Sequence, residues 1–328
     1  MDYGSEVYER KAGISGMENS VLQLFPAVQR PFWEQTAIKQ KELREIRLRI
    51  GQPVVVYLGN RELFLEETGC FTENIADAKY MERKELEDIL EHICHYSLYA
   101  FEDELKQGFI TVSGGHRVGV AGQAVAENER SIRTIKNISF LNIRISHAVK
   151  GAADEILPYI YRNGSVRSTL LISPPGCGKT TLLRDLIRQI SDGNTFGEGM
   201  TVGVVDERSE IAGSFCGIPQ NDVGRRTDVM DGCPKGLGMM MLLRSMSPRV
   251  IAIDELGSKE ELEALRCAAA CGCKILATAH GENISEVKAR FDVSDNVWKQ
   301  LFQLIVGLGK ENDKCKIRRM WEECSSDA

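Results

Sequence analysis

The residues best suited to chemistry lie in one run, LLISPPGCGKTT at positions 170–181. An apolar stretch, a Gly-rich segment and a Lys-Thr-Thr end predict a buried strand, a phosphate-binding loop (Walker A) and the first turn of a helix. In such a loop the Lys179 ammonium reaches the outer phosphates and the Thr180 hydroxyl ligates Mg²⁺. Ser173 stands where this pattern usually begins with glycine. The residues expected to contact phosphate are Pro175, Gly176, Cys177, Gly178, Lys179, Thr180 and Thr181.

A second motif would supply the metal anchor and orient the water. Val250 to Ile253 form an apolar run that ends in Asp254 and Glu255, and parallel sheets place ligand groups at the carboxyl ends of their strands. We expect Asp254 to hold the Mg²⁺ shell and Glu255 to polarise the water that attacks the γ-phosphate.

Two further strand ends carry polar groups. Residues 202–205 lead into Asp206 and Glu207, which either support the metal and water or act structurally, as a helix N-cap or an ion pair with Arg208. Residues 274–279 lead into His280. We expect His280 to sense the γ-phosphate, because phosphoryl transfer depends mostly on positioning and electrostatics.

An arginine often neutralises charge in the transition state of phosphoryl transfer. Arg144 is the preferred candidate, because its strand borders the predicted linker. The other candidates are Arg117, Arg133, Arg225, Arg226 and Arg244.

The elements that position these residues fall into two parts. Residues 1–147 predict an N-terminal α+β domain, with 1–20 loosely ordered and strands near 45–50, 54–58, 63–65, 109–112, 116–120 and 141–145 around a helix from residue 84. Residues 148–167 predict a linker. In 168–328, strands at 168–172, 202–206, 249–253 and 273–278 alternate with helices near 179–190, 235–246 and 259–270, which is typical of an α/β nucleotide-binding domain.

Composition narrows the functional classes. The chain has 328 residues, 43% of them hydrophobic and 27% charged, and a net charge of −6, as in globular proteins without a general attraction to nucleic acid or anionic membranes. No apolar stretch approaches the roughly 20 residues that span a bilayer, and the N-terminus lacks the pattern of a signal peptide. We therefore expect a cytoplasmic protein without membrane insertion, whose ten cysteines are thiols.

The order of these motifs resembles that of the type II/IV secretion and pilus ATPases. MLLRSMSP at 241–248 with DELG at 254–257 is similar to their Walker B region, ATAH at 277–280 to their His box, and Asp206-Glu207 to their Asp box. Arg144 looks like an arginine of the preceding domain that faces the nucleotide. VDERSEIA at 205–212, RTDV at 226–229 and MMMLLRSMSP at 239–248 resemble the sporulation stage III AA family within this superfamily.

The resemblance implies a RecA-like P-loop ATPase core beside a smaller N-terminal α+β domain. It also implies use of ATP and Mg²⁺, assembly into a homo-oligomer (a hexamer), and work for an envelope-spanning sporulation channel whose membrane proteins recruit the ATPase. The His box here continues with Gly281, where the family usually has threonine.

Two other enzyme classes and a scaffold remain as alternatives. A nucleic-acid-stimulated ATPase would use the Arg225-Arg226 and Arg318-Arg319 pairs, although neither forms a basic stripe interleaved with aromatics. A P-loop small-molecule kinase would need an acceptor pocket and a lid, which no motif marks. A non-catalytic scaffold fits poorly with an intact metal anchor and water-orienting acid.

Overall fold

The chain forms two compact units, Met1–His147 and Ala148–Ala328. The computed structural model describes residues 20–97, 101–128, 131–291, 293–311 and 314–322, so the expectation for the first twenty residues lies almost wholly outside the described part. The segment 148–167, expected to be a linker, differs from that expectation. It contains a short helix and a hairpin, and Ala153, Ile156 and Leu157 are buried in the core of the second unit. Their apolar spacing is that of a packed element.

Within the described residues, the first unit is built on a seven-stranded antiparallel sheet of order β4-β3-β2-β1-β7-β6-β5. Its strands are β1 (Leu43–Arg49), β2 (Val55–Leu58), β3 (Arg61–Leu65), β4 (Phe71–Thr72), β5 (Phe109–Val112), β6 (His116–Asn128) and β7 (Ser131–Arg144), and its helices are α1 (Arg30–Ile38), α2 (Arg83–Ile93) and α3 (Glu102–Gln107). In α2, Leu86, Ile89, Leu90 and Ile93 recur at helical spacing and are all buried. That spacing explains why the sequence forms a helix here.

The second unit has a sheet of order β12-β11-β13-β14-β10-β15-β16, which is parallel except for the last pair. The strands of the unit are β8 (Tyr161–Arg162), β9 (Ser165–Val166), β10 (Thr169–Ser173), β11 (Val202–Asp206), β12 (Thr227–Asp231), β13 (Val250–Ile253), β14 (Lys274–His280), β15 (Leu304–Glu311) and β16 (Lys314–Glu322). Its helices are α4 (Leu157–Ile160), α5 (Lys179–Asp192), α6 (Lys235–Ser245), α7 (Lys259–Ala270), α8 (Ile284–Phe291) and α9 (Asp295–Leu301).

Both faces of this sheet are covered. Along β13, Val250 and Ala252 belong to one apolar core, which includes the buried side of α5, while Ile251 and Ile253 belong to the other, which includes α6, α7 and α9. A parallel strand buried on both faces must be apolar at successive positions. The uninterrupted apolar runs that predicted these strands therefore have their cause in the two layers of helices.

Most of the predicted core elements of the second unit are confirmed, namely the strands β10, β11, β13 and β14 and the helices α5, α6 and α7. Two strands of the seven-stranded sheet are additional to those predicted. β12 lies inside a segment rich in Gly, Asp and Arg, and β15 follows α9. For residues 314–321 the sequence is compatible with an edge strand or with a contact for a partner, and here β16 forms the end of the sheet beside β15.

The cysteines that the structure describes are free thiols, as expected. Across the same residues, every helix falls short of the length and apolar character needed to cross a bilayer.

Candidate nucleotide-binding site

The carboxyl ends of three adjacent strands bring the motif residues together. β14 lies between β13 and β10, with Ile253 beside Ala277 and Ser173 beside His280. Since parallel strands end at the same edge of a sheet, Asp254, His280 and the loop after Ser173 share one edge.

The loop after β10 has the backbone that phosphate binding requires. Gly176 and Gly178 have φ angles of 73° and 88°, a left-handed conformation that residues with a side chain rarely adopt. α5 begins directly after Gly178 and is 14 residues long. Its first N–H groups and the positive end of its dipole form an anion-binding position at the loop.

Lys179 is held inside this loop. Its side chain is 5% exposed, and Nζ donates to Ser173 O at 3.2 Å, Ser173 Oγ at 3.2 Å and Pro174 O at 3.3 Å. Burial lowers the pKa of Lys179, against the opposing effect of the Asp254 and Glu255 carboxylates. The serine that replaces the usual first glycine thus supplies two of the oxygens that hold the lysine.

Lys179 also contacts His280, with Nζ 3.0 Å from Nδ1. The lysine has only N–H groups to offer, so Nδ1 accepts and the ring proton lies on Nε2. His280 Nε2 in turn donates to Glu255 Oε1 at 2.7 Å. The histidine therefore connects the phosphate-loop lysine with the acid at the end of β13.

The predicted metal ligands meet directly. The Thr180 hydroxyl donates to Asp254 Oδ2 at 2.5 Å. A hydroxyl and a carboxylate side by side are the oxygen ligands that Mg²⁺ prefers, so these two residues fit the ion that the motif implies.

Glu255 has an unusual backbone. Its φ angle is 55°, a left-handed conformation that costs about 1–2 kcal/mol for a residue with a side chain and that often occurs at functional sites. The carboxylate also accepts from Arg208 Nη1 at 3.1 Å. Burial raises the pKa of Glu255, but the hydrogen bond from His280 and the positive charges of Arg208 and Lys179 outweigh it, so the pKa lies below its ordinary value.

Two residues that the sequence did not single out hold Glu255 in this conformation. The Thr278 hydroxyl accepts from Glu255 N–H at 2.8 Å and donates to Asp254 Oδ1. Lys235 Nζ, at the start of α6, donates to the Glu255 carbonyl oxygen at 2.8 Å. Thr278 lies inside a predicted strand and Lys235 at the start of a predicted helix, so no local signal distinguishes them.

The contacts of Asp206 favour the structural of the two roles that the sequence left open, although the residues that it caps form a loop and not a helix. Its carboxylate accepts the N–H groups of Glu210 at 2.8 Å, Ile211 at 3.0 Å and Ala212 at 2.7 Å. Burial raises the pKa of Asp206 to about 6, although the three hydrogen bonds act in the opposite direction. The geometry therefore favours a cap on the loop after β11 over a role as a metal support.

Glu207 has a different ionic partner from the one considered. Its carboxylate is 3.3 Å from Lys235 Nζ, whereas Arg208 pairs with Glu255. Glu207, Lys235 and Glu255 line a common pocket, so Glu207 reaches the site through the lysine.

The candidate arginines are spread over both units. Arg144 is exposed at the end of β7 and lies between Arg117 of β6 and Glu45 of β1 in the sheet register. Arg133 is exposed on β7, and Arg244 on the last turn of α6. In the second unit, Arg225 and Arg226 donate to Asp192 Oδ1 and Ser191 O near the end of α5, which gives these two a local structural role.

One charged residue that contacts the loop after β11 was not predicted from the sequence. Arg184 of α5 donates to Ile211 O at 2.5 Å and Glu210 O at 2.6 Å. Its position one turn after Thr180 on α5 could have suggested it. Together with Asp206 it fixes the loop after β11 to the helix that begins at the phosphate-binding loop.

Comparison with known proteins agrees with this architecture. The family model of sporulation stage III, protein AA, matches residues 16–327. The stage III sporulation protein AA of Bacillus subtilis (strain 168) is 43% identical over 249 residues, which cover 76% of each chain.

Solved structures show the fold. The ATPase DotB of Legionella pneumophila superposes with a TM-score of 0.57 at 15% identity, covering 92% of this chain and 82% of DotB. The pilus retraction motor PilT with bound ADP gives a TM-score of 0.60 at 16% identity, covering 90% and 83%. This chain thus has the RecA-like fold of the type II/IV secretion ATPases with an N-terminal domain, and it belongs to the stage III sporulation protein AA family.

Proposed function

We propose that this protein is an Mg²⁺-dependent ATPase of the secretion-ATPase type that powers or assembles an envelope-spanning sporulation channel. One observation carries the proposal. The phosphate-loop lysine, the hydroxyl–carboxylate pair and the strand-end glutamate are joined by direct hydrogen bonds, from Lys179 through His280 to Glu255 and from Thr180 to Asp254. These are the groups that phosphoryl transfer to water requires.

Each residue has a role in this proposal. The loop N–H groups and Lys179 bind the phosphates of ATP, and Thr180 and Asp254 hold Mg²⁺, which supplies charge neutralisation at the phosphate oxygens. Glu255 orients the attacking water as a hydrogen-bond acceptor, because its pKa below the ordinary value keeps the carboxylate ionised. His280 senses the nucleotide, because Lys179 must exchange its bond to Nδ1 for the phosphates.

The proposed mechanical output depends on assembly. The family and the fold support a homo-oligomeric ring, a hexamer, in which ATP turnover moves the N- and C-terminal units relative to each other. A ligand shifts such an equilibrium only through contacts that differ between the two states, and the γ-phosphate supplies them. We propose that the ring acts in the cytoplasm, recruited by membrane proteins of the channel.

ATP hydrolysis by the purified protein, measured over a concentration series with light scattering on the same samples, tests this function. We expect activity per chain to rise as a ring assembles.

Lys179→Ala should weaken nucleotide binding, since it removes the charge that contacts the phosphates, whereas Glu255→Gln should keep binding and lower kcat by at least about 100-fold. Glu263→Gln, on an exposed part of α7, is the matched control.

Several outcomes would contradict the proposal. Normal turnover by Glu255→Gln would remove this residue from its role. Constant activity from a monomer would argue against a ring, and activity that depends on added single-stranded nucleic acid, with a steep dependence on salt, would favour the nucleic-acid-stimulated alternative.

A further inference from the structure

We infer that Thr278 is a positioning residue for hydrolysis: its hydroxyl group fixes the Asp254 carboxylate and the left-handed backbone of Glu255 in one arrangement. The inference rests on the proposed ATPase function and adds a residue outside the groups proposed to bind phosphate, hold the metal or orient the water. Thr278 acts through Asp254 and Glu255, the two residues that follow β13.

Three hydrogen bonds connect Thr278 with the turn after β13. The hydroxyl donates to Asp254 Oδ1 and accepts from Glu255 N–H at 2.8 Å. The carbonyl oxygen of Thr278 accepts from Leu256 N–H at 2.7 Å. Three successive residues of the turn are therefore held by one residue of the neighbouring strand.

The position of Thr278 in the sheet explains this arrangement. The regular pairing of β13 with β14 ends with Ile253 beside Ala277, so Thr278 is the next residue, where β13 leaves the sheet. Thr278 is 0% exposed, so water is not at hand to replace its hydroxyl. The Thr278 hydroxyl therefore supplies hydrogen bonds at the point where the backbone pairing of β13 with β14 ends.

Both directions of hydrogen bonding are needed at this place. Glu255 N–H requires an acceptor and the Asp254 carboxylate requires a donor, and a hydroxyl is the neutral side-chain group of this size that does both. Asp254 Oδ2 accepts from Thr180. The carboxylate is thus oriented by two hydroxyl groups from different elements, one on each oxygen, before any metal binds.

The chain offers a matched control in Thr169. It lies in β10 of the same sheet, is also 0% exposed, and its hydroxyl donates to Arg167 O at 2.8 Å, at the end of the strand away from the site. Thr169→Val therefore reproduces the loss of a buried strand hydroxyl without touching Asp254 or Glu255.

The experiment compares Thr278→Val, Thr278→Ser and Thr169→Val in the full chain, with kcat for ATP and the dissociation constant of ADP as readouts. Thr278→Val should lower kcat by about 100-fold, because a displaced acid and metal ligand misplace the reacting groups. Its affinity for ADP should stay within about threefold, since the phosphate loop is unchanged. Thr278→Ser retains the hydroxyl and should restore most of kcat.

Hydrogen exchange of the peptide at residues 253–258 gives a readout that does not depend on turnover. It should be faster in Thr278→Val than in Thr169→Val, because Glu255 N–H loses the nearer of its two acceptors, the Thr278 hydroxyl at 2.8 Å, and keeps only Asp254 Oδ1 at 3.1 Å. Equal exchange in the two variants, a kcat of Thr278→Val equal to that of Thr169→Val, or a serine variant as slow as the valine variant would overturn the inference. A wild-type protein without ATPase activity would contradict the proposed function instead, and the exchange data would still decide the role of Thr278.

Discussion

Two histidines show how neighbouring groups fix which ring nitrogen accepts a hydrogen bond. His280 accepts from Lys179 at Nδ1 and donates to Glu255 from Nε2. His116 of the first unit is 1% exposed; its Nδ1 accepts from Ser146 N–H at 3.1 Å, and Nε2 lies 3.0 Å from Ser20 Oγ. The Ser146 N–H can only donate, so Nδ1 of His116 is unprotonated and its environment selects the neutral imidazole.

His116 therefore predicts a pH dependence of stability in the first unit. Burial, with a smaller effect of His147, lowers the pKa of His116 from 6.5 to about 4. Between these values the unfolded chain binds a proton that the folded chain excludes, so the free energy of unfolding falls as the pH decreases from 6.5 to 4, by up to about 3 kcal/mol.

Urea denaturation at a series of pH values measures this effect. Hydrogen exchange of peptides from residues 20–147 reports the unfolding of the first unit in each sample. His116→Gln, which retains an acceptor and a donor, should unfold with a shallower pH dependence in the same window. An unchanged slope in that variant would show that another group is responsible.

Among the elements, the loop after β11 and the strand pair β15–β16 show how side chains hold the backbone in place. Asp206 caps this loop from its own strand, and Arg184 of α5 holds it from the other side. In β15, a Cβ atom on Gly309 would come within 1.8 Å of Arg318 Nε, and one on Gly307 within 3.2 Å of the Trp321 ring. Glycine at these two positions thus leaves room for the side chains of β16 that pack against β15.

The cap gives a prediction for the stability of the second unit. Asp206→Ala leaves three N–H groups, two of them buried, without their acceptor and should lower the free energy of unfolding by about 2–4 kcal/mol. Asp222→Ala, which removes an exposed ion pair with Lys150, should cost less than about 1 kcal/mol. Thermal or urea unfolding of both variants measures the difference, and equal losses would contradict the structural role assigned to Asp206.

For the whole molecule, the proposed function requires the two units to cooperate. Arg144 belongs to the first unit, while the phosphate loop, the metal ligands and Glu255 belong to the second. An arginine can stabilise the transition state only where it approaches the phosphates, so its contribution would depend on closure of the units or on a neighbouring subunit.

We therefore expect Arg144→Ala to bind ATP with nearly the affinity of the wild type but to hydrolyse it at least about 100-fold more slowly. Lys136→Ala, an exposed cation on the same strand, is the control and should keep its rate. Steady-state kinetics with a separate measurement of nucleotide binding makes the comparison, and an unaltered rate in Arg144→Ala would exclude this arginine from the site.

The parts of the site that could be predicted are those with a local pattern. The order of apolar strand, glycine-rich loop and Lys-Thr predicts the phosphate loop, and apolar runs that end in Asp254-Glu255 and His280 predict groups at one sheet edge. These patterns can be recognised because buried parallel strands must be apolar and their carboxyl ends lie at the same edge of the sheet. Glu255, whose backbone is left-handed, is also one of the residues that the sequence predicted for the site.

The partners of these residues could not be predicted in the same way. Thr278 lies 24 residues from Asp254. In the sequence it is a threonine within a predicted strand, as Thr169 is, so the sequence does not distinguish their roles. Lys235 reads as an ordinary first residue of a helix, and Asp206 and Asp254 both end apolar strands, although one caps a loop and the other meets Thr180. Strand identity is encoded by neighbouring residues, whereas the role of a polar side chain depends on which distant donors and acceptors the packed sheet brings within about 3 Å.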